Sequence, residues 1–146
     1  MTSMRRREFV QKLPMVAGGL LAGASVLTTS ACAGVRHLAP RGTPSRLVIA
    51  ASDVVEGGVL VQRPDMEWPV FLHREEAGDH VAVLARCTHL GCQPDPVGDR
   101  LVCPCHGSEF DLLGNVLQGP AERPLTRYPV AVEGSDLVVT LEGADR

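Results

Sequence analysis

Apolar residues fall in short runs broken by turn residues along most of the chain. Runs of strand length recur at Leu47–Ala50, Gly58–Gln62, Trp68–His73, His80–Arg86, Arg100–Val102, Asn115–Gln118, Thr126–Glu133 and Asp136–Leu141. Between them stand Gly57-Gly58, Gly78-Asp79, Gly98-Asp99, Gly114-Asn115 and Gly134-Ser135, residues that supply tight turns. The pattern predicts a small antiparallel all-β domain, a sandwich or barrel-like fold, beginning near Arg46. Trp68 and Tyr128 read as packing residues within it.

The first 34 residues follow a different rule. Arg5, Arg6 and Arg7 precede Phe9 and Val10, and an Ala-, Gly- and Leu-rich stretch runs from Leu13 to Leu27 before small polar residues take over. This is the layout of an export signal. Arg6-Arg7-Glu8-Phe9-Val10-Gln11-Lys12 resembles the twin-arginine consensus, which serves proteins exported already folded. Either as a cleaved signal or as an anchor, residues 1–34 send the domain out of the cytoplasm, to the periplasm or the outer face of the membrane. Pro14 to Ala33 is about the 20 residues that a bilayer requires, although Ser25, Thr28, Thr29 and Ser30 weaken its second half. Cys32 after Ser30-Ala31 resembles a lipoprotein acceptor, with Thr29 where such sites carry Leu. Residues 35–45, with Pro40, Gly42 and Pro44 among polar residues, read as a linker to a domain over 46–146.

Composition narrows the function. A chain of 146 residues holds one domain and a modest core, and 15 Gly with 11 Pro speak against a long helical bundle. The net charge of -3 conceals a division. Three arginines and Lys12 against Glu8 make residues 1–34 positive by 3, which leaves -6 for the rest. An acidic domain with a single Trp and a single Tyr has neither the charge nor the aromatic platform for nucleic acid.

Chemistry concentrates in two segments, Cys87-Thr88-His89-Leu90-Gly91-Cys92 and Cys103-Pro104-Cys105-His106-Gly107-Ser108. Cys-x-His and, after 13 intervening residues, Cys-x-x-His offer two thiolates and two imidazoles from two loops. If an iron pair sits there, one iron takes the thiolates of Cys87 and Cys103 and the other the imidazoles of His89 and His106. Neutral ligands in place of two anionic ones make reduction easier. Cys92 and Cys105 would link the same loops if oxidised, and an exported domain permits that bond. Two alternatives stand beside this reading. A zinc site would use the same ligand set, but zinc fingers place Cys with Cys and His with His, whereas here each Cys is paired with a His. Two disulfides would account for the cysteines and leave the two histidines unexplained. His73 and His80 read as surface histidines, and His37 lies in the linker without a partner in sequence.

The two boxes resemble the signatures of Rieske proteins of cytochrome bc-type complexes. The likeness extends through Glu109-Phe110-Asp111, Gly114 and Gly119-Pro120-Ala121, and so covers most of Arg86 to Val132. It implies a [2Fe-2S] cluster on Cys87, His89, Cys103 and His106, a disulfide between Cys92 and Cys105, and a covering loop at Gly119-Pro120. Rieske ferredoxins of oxygenase systems generally lack the second cysteine of each box, so the resemblance is to the disulfide-bearing branch. The chain departs from the respiratory pattern at Phe110, where the family commonly has a Tyr whose hydroxyl bonds a ligand sulfur. Its loss lowers the potential, while Ser108 keeps a hydroxyl for a bridging sulfide. The segment Gln93 to Val102 is also shorter than in many respiratory relatives.

By this resemblance the protein transfers one electron at a time, with the histidines at an exposed tip and electron uptake coupled to proton uptake. The leading expectation is a subunit of a membrane quinol:cytochrome c oxidoreductase, with a quinol or a cytochrome as partner and Val35 to Ser45 as hinge. The alternative is an independent exported carrier or the small subunit of another oxidoreductase, such as an arsenite oxidase. A structural zinc or disulfide module is the third.

Overall fold

A computed structural model describes residues 35–142. Within them the chain forms β1 (His37–Leu38), β2 (Arg41–Thr43), β3 (Arg46–Ala50), a turn of 3₁₀ helix (Ala51–Asp53), β4 (Val59–Val61), β5 (Val70–Arg74), β6 (His80–Leu84), β7 (Asp95–Val97), β8 (Arg100–Val102), β9 (Glu109–Asp111), β10 (Val116–Gln118), β11 (Arg127–Tyr128), β12 (Val130–Glu133) and β13 (Asp136–Thr140). They pair into three sheets, ordered β1-β4-β5-β6-β11, β12-β13-β3-β2 and β10-β9-β8-β7. Every pair is antiparallel except the short parallel contact of β1 with β4. The all-β, antiparallel expectation holds.

The first sheet is covered on both faces, and its sequence shows why. Successive strand residues point to opposite faces. Val59 and Val61 of β4, Val70 and Leu72 of β5 and Ala82 of β6 therefore pack against Leu47 and Ile49 of β3 and Leu137 and Val139 of β13. Leu60, Phe71 and Val83, one residue out of step, face the other way and meet Leu101 of β8 and Phe110 of β9. Two buried faces demand unbroken apolar runs, which is what Val59-Leu60-Val61 and Val70-Phe71-Leu72 are. The second of these cores also contains Cys87, Cys103, Ala121 and Leu125, so the hydrophobic interior reaches the two reactive loops directly.

Three differences from the sequence reading have physical causes. The supposed linker is paired into the domain: His37 and Leu38 lie beside Leu60 and Val61, and Arg41 to Thr43 beside Arg46 to Val48. Arg63 fastens it from the side, donating to the carbonyls of Thr43 and Pro44 while its guanidinium also holds Asp65. The expected strand Thr126–Glu133 is two strands, because the chain changes sheets at Pro129. β11 pairs with β6, β12 pairs with β13, and the proline between them has no N–H to donate. Finally, β7 and β9 appear where none was expected. β7 carries Pro96 and is accordingly an edge strand.

Candidate metal centre

The two boxes form two loops built on one backbone plan. In the first, which follows β6, Cys87 N–H donates to the carbonyl of Cys92 at 2.8 Å and Gly91 N–H to that of Cys87 at 2.9 Å. In the second, between β8 and β9, Cys103 N–H donates to Ser108 at 2.8 Å and Gly107 N–H to Cys103 at 3.0 Å. Gly91 and Gly107 occupy the same place in their loops, with φ of +84° and +73°, a conformation that residues with a Cβ rarely adopt. The equivalence left a trace in the sequence, Cys-x-x-x-Gly written twice, that the separate reading of each box passed over.

Equal backbones carry unequal side chains. Both loops begin with a free, buried cysteine, Cys87 at 2% exposure and Cys103 at 1%. The histidine is third in one loop, His89, and fourth in the other, His106. Their rings meet edge to face, with centroids 4.9 Å apart and planes at 89°. Cys92, sixth in its loop, is bonded to Cys105, third in the other, so the expected disulfide is present. The Cys103 sulfur lies within 4.8 Å of both sulfurs of that bond. Because those two are bonded to each other, they offer no thiolate, and this trio is not a metal site.

The loops are held from the sides. Ser108 is fully buried, and its Oγ accepts the N–H of Ala121 at 3.0 Å. Gln118 Nε2 donates to the Gly107 carbonyl at 3.3 Å. The segment Gly119-Pro120-Ala121, entered through a cis Gly119–Pro120 peptide, is thereby fixed against the second loop. Thr88 Oγ1 donates to the Arg123 carbonyl at 2.5 Å and ties the same segment to the first. Phe110 is fully buried in the core that holds Cys87 and Cys103.

Burial and unmatched polar atoms mark the site. Burial pushes the Cys103 thiol above its ordinary pKa, against the opposing pull of the Cys105 and His106 backbone N–H groups. His89 Nδ1 is buried without a hydrogen-bond partner. A buried nitrogen lone pair or N–H left unmatched is costly unless something binds it. Two free buried sulfurs and two facing imidazoles, one of them with an orphaned nitrogen, fit the mixed thiolate and imidazole donor set of a [2Fe-2S] group. His106 is exposed and His89 half-buried. Elsewhere His73 and His80 lie half-buried on β5 and β6, outside this arrangement, and His37 on β1. Trp68 Nε1 is buried without a partner. Cys32 lies outside the described residues.

Comparison with known proteins agrees with the donor set. The family model described as Rieske [2Fe-2S] domain matches residues 45–129, which include both loops. The cytochrome b6-f complex iron-sulfur subunit of Chlorobaculum tepidum is 35% identical over 144 residues, covering 93% of this chain and 75% of the relative. Among solved structures, the plasma membrane Rieske protein PetC3 of the cyanobacterium Synechocystis PCC 6803 is 38% identical with a TM-score of 0.50, covering 57% of this chain and 86% of that one. A chain from the complex of reduced oxygenase and oxidised ferredoxin in carbazole 1,9a-dioxygenase is 28% identical with a TM-score of 0.55, covering 68% and 96%. The zinc alternative gives way to this match, and the alternative of two disulfides to the free thiols of Cys87 and Cys103. The chain belongs to the Rieske [2Fe-2S] domain family, and it transfers electrons one at a time on a [2Fe-2S] cluster.

Proposed function

We propose that Cys87 and Cys103 hold one iron of the cluster and His89 and His106 the other, and that the protein is the iron–sulfur subunit of a membrane quinol-oxidising cytochrome complex. The observation that supports the ligand assignment is the equivalence of the two loops, each of which carries one free buried thiol and one imidazole, with the two imidazoles in contact. The cluster supplies one-electron chemistry at a potential raised by its two neutral ligands. The chain's own residues do the rest. Burial of the Cys87 and Cys103 sulfurs excludes water from one side, while the exposed His106 imidazole gives a partner an approach. Ser108 accepts the Ala121 N–H and keeps its hydroxyl proton for a cluster sulfur. Phe110 offers no second hydroxyl.

The role in a cytochrome complex is supported by the Chlorobaculum relative, an iron-sulfur subunit of a cytochrome b6-f complex that aligns over most of this chain. Residues 1–34 are proposed to be the twin-arginine signal that exports the domain or anchors it, with lipid on Cys32 as a further means of attachment. They lie outside the described residues, and among the described residues no helix is long and apolar enough to cross a membrane. Native protein purified from gently solubilised membranes should bring stoichiometric b-type haem with it, read in the reduced-minus-oxidised visible spectrum.

A second reading, an independent exported carrier or the small subunit of another oxidoreductase, is favoured by one observation. Arg41 to Thr43 and His37-Leu38 are paired into the sheets, so Val35 to Ser45 does not serve as the free hinge on which a swinging domain would turn. Cluster-loaded protein free of haem would select this reading.

A further inference from the structure

Beside the cluster loops lies an open cavity of about 670 Å³, walled by the first loop from Arg86 to Gly91 and by Arg123, Pro124, Thr126 and Tyr128. His89 is in its wall and His106 is not. Its charge is unlike that of the domain around it. Residues 35–142 carry 9 arginines and no lysine against 15 carboxylates. Arg36, Arg41, Arg46, Arg63 and Arg100 are each ion-paired. Of the four others, Arg127 is held by Asn115 and Arg74 lies at the end of β5, away from the cavity, whereas Arg86 and Arg123 are both exposed, have no ion-pair partner among the described residues, and both line this one cavity. The bond from Thr88 to the Arg123 carbonyl fixes the second of them to the ligand loop itself. Leu90, 69% exposed, stands on the same wall.

We propose that this cavity is the docking site for the carboxylate-bearing face of an electron-transfer protein, which is thereby placed against the His89 imidazole. The inference rests on the reading of His89 as a cluster ligand. Two guanidiniums with free donors match carboxylates in geometry as well as charge. The domain as a whole repels an acidic partner, whereas this cavity has two arginines and no carboxylate in its wall, so orientation is selected before contact. An exposed leucine among charged residues gives the small, mixed contact of a transient redox encounter. Such docking would pass one electron to the partner, which is reduced by one unit, while a proton taken up with that electron would return to solvent and no bond would be transferred.

The test uses ferricyanide, a trianion, as a one-electron oxidant of the reduced holoprotein in stopped flow. Ionic strength is raised from about 0.01 M to about 0.15 M, over which the Debye length falls from about 30 Å to about 8 Å. Despite the acidic domain, the rate should fall as salt rises. Arg86→Gln with Arg123→Gln should slow the reaction at low salt by about tenfold and reverse the slope. Arg41→Gln with Arg46→Gln, the same change in net charge made elsewhere, should keep the parent's slope, as should Arg86→Lys with Arg123→Lys. A hexaglutamate peptide should inhibit the parent and not the Arg86→Gln, Arg123→Gln variant. The EPR spectrum and midpoint potential of each variant are recorded first. A missing Rieske signal in the parent speaks against the ligand reading, whereas a normal signal with a rate that rises with salt overturns the docking site alone. So does a rate loss fully explained by a shifted potential, or an arginine-dependent binding to phosphatidylglycerol vesicles without inhibition by the peptide, which would assign the cavity to a lipid surface.

Discussion

The two ligand loops have one backbone and two chemistries, and the differences between them say what each position is for. First position is the same in both, a buried cysteine. The sixth is Cys92 in one, joined across to the other loop, and Ser108 in the other, holding the covering segment through Ala121. The histidine is displaced by one place. With equal backbones, that displacement points the two imidazoles differently and lets them meet at right angles. A repeated scaffold fixes where the sulfurs sit, and the departures from the repeat create the imidazole pair, the crosslink and the cover.

The most severe way to break this comparison is to make the loops alike. Exchanging His89→Leu and Leu90→His puts the first imidazole where the second loop has it, and the expected outcome is complete loss of the cluster, read as absence of the reduced-state EPR signal. Retention of a normal signal would show that the third position is not what matters. Next in size is the crosslink. Cys92→Ser with Cys105→Ser opens a bridge between residues 13 apart in sequence, and should lower unfolding stability by about 3 kcal/mol in denaturant titration. Ser108→Ala should cost about 1–3 kcal/mol, because it leaves the Ala121 N–H buried without its acceptor, and should lower the midpoint potential as well. Gly91→Ala and Gly107→Ala sharpen the equivalence, since positive φ at both should make each cost about 1–2 kcal/mol and the two costs nearly equal. The smallest effect belongs to histidines outside the loops. Burial holds His73 and His80 below the ordinary imidazole pKa in the folded state. The unfolded chain therefore binds protons first as pH falls, so stability is full above about pH 6.5 and declines below it. His73→Gln with His80→Gln should flatten that decline in thermal melts between pH 7 and 5.

Seven of the eight strand-length runs were legible, β4 and β5 because two-faced burial leaves no room for polar residues and the others because turn glycines marked their ends, whereas Thr126–Glu133 concealed a change of sheet at Pro129. The boxes were legible because Cys and His are rare and their spacing is restrictive. Residues 35–45 were not, for a physical reason. β1 and β2 are strands of two and three residues whose pairing depends on β4 and β3 and on the grip of Arg63, and a local reading of Pro40, Gly42 and Pro44 contains none of that. β9 was hidden in the same way, since Glu109-Phe110-Asp111 shows a single apolar residue that acquires its meaning from the core behind it. The cavity arginines carried no signal in sequence, because Arg86 and Arg123 lie far apart in the chain and share a cavity only once Thr88 is bonded to the Arg123 carbonyl.

The Cys103 sulfur sits within 4.8 Å of the Cys92–Cys105 bond, and a thiol beside a disulfide is the arrangement from which sulfur exchange begins. Exchange needs a thiolate, and burial makes the Cys103 thiolate scarce. Only the Cys92–Cys105 pairing leaves Cys87 and Cys103, the proposed iron ligands, as free thiols, and the packing that buries them disfavours the exchange that would undo it. A polar residue introduced at Phe110 or Leu101 would therefore do more than loosen the interior: it would open a route to mispaired chains that never accept a cofactor.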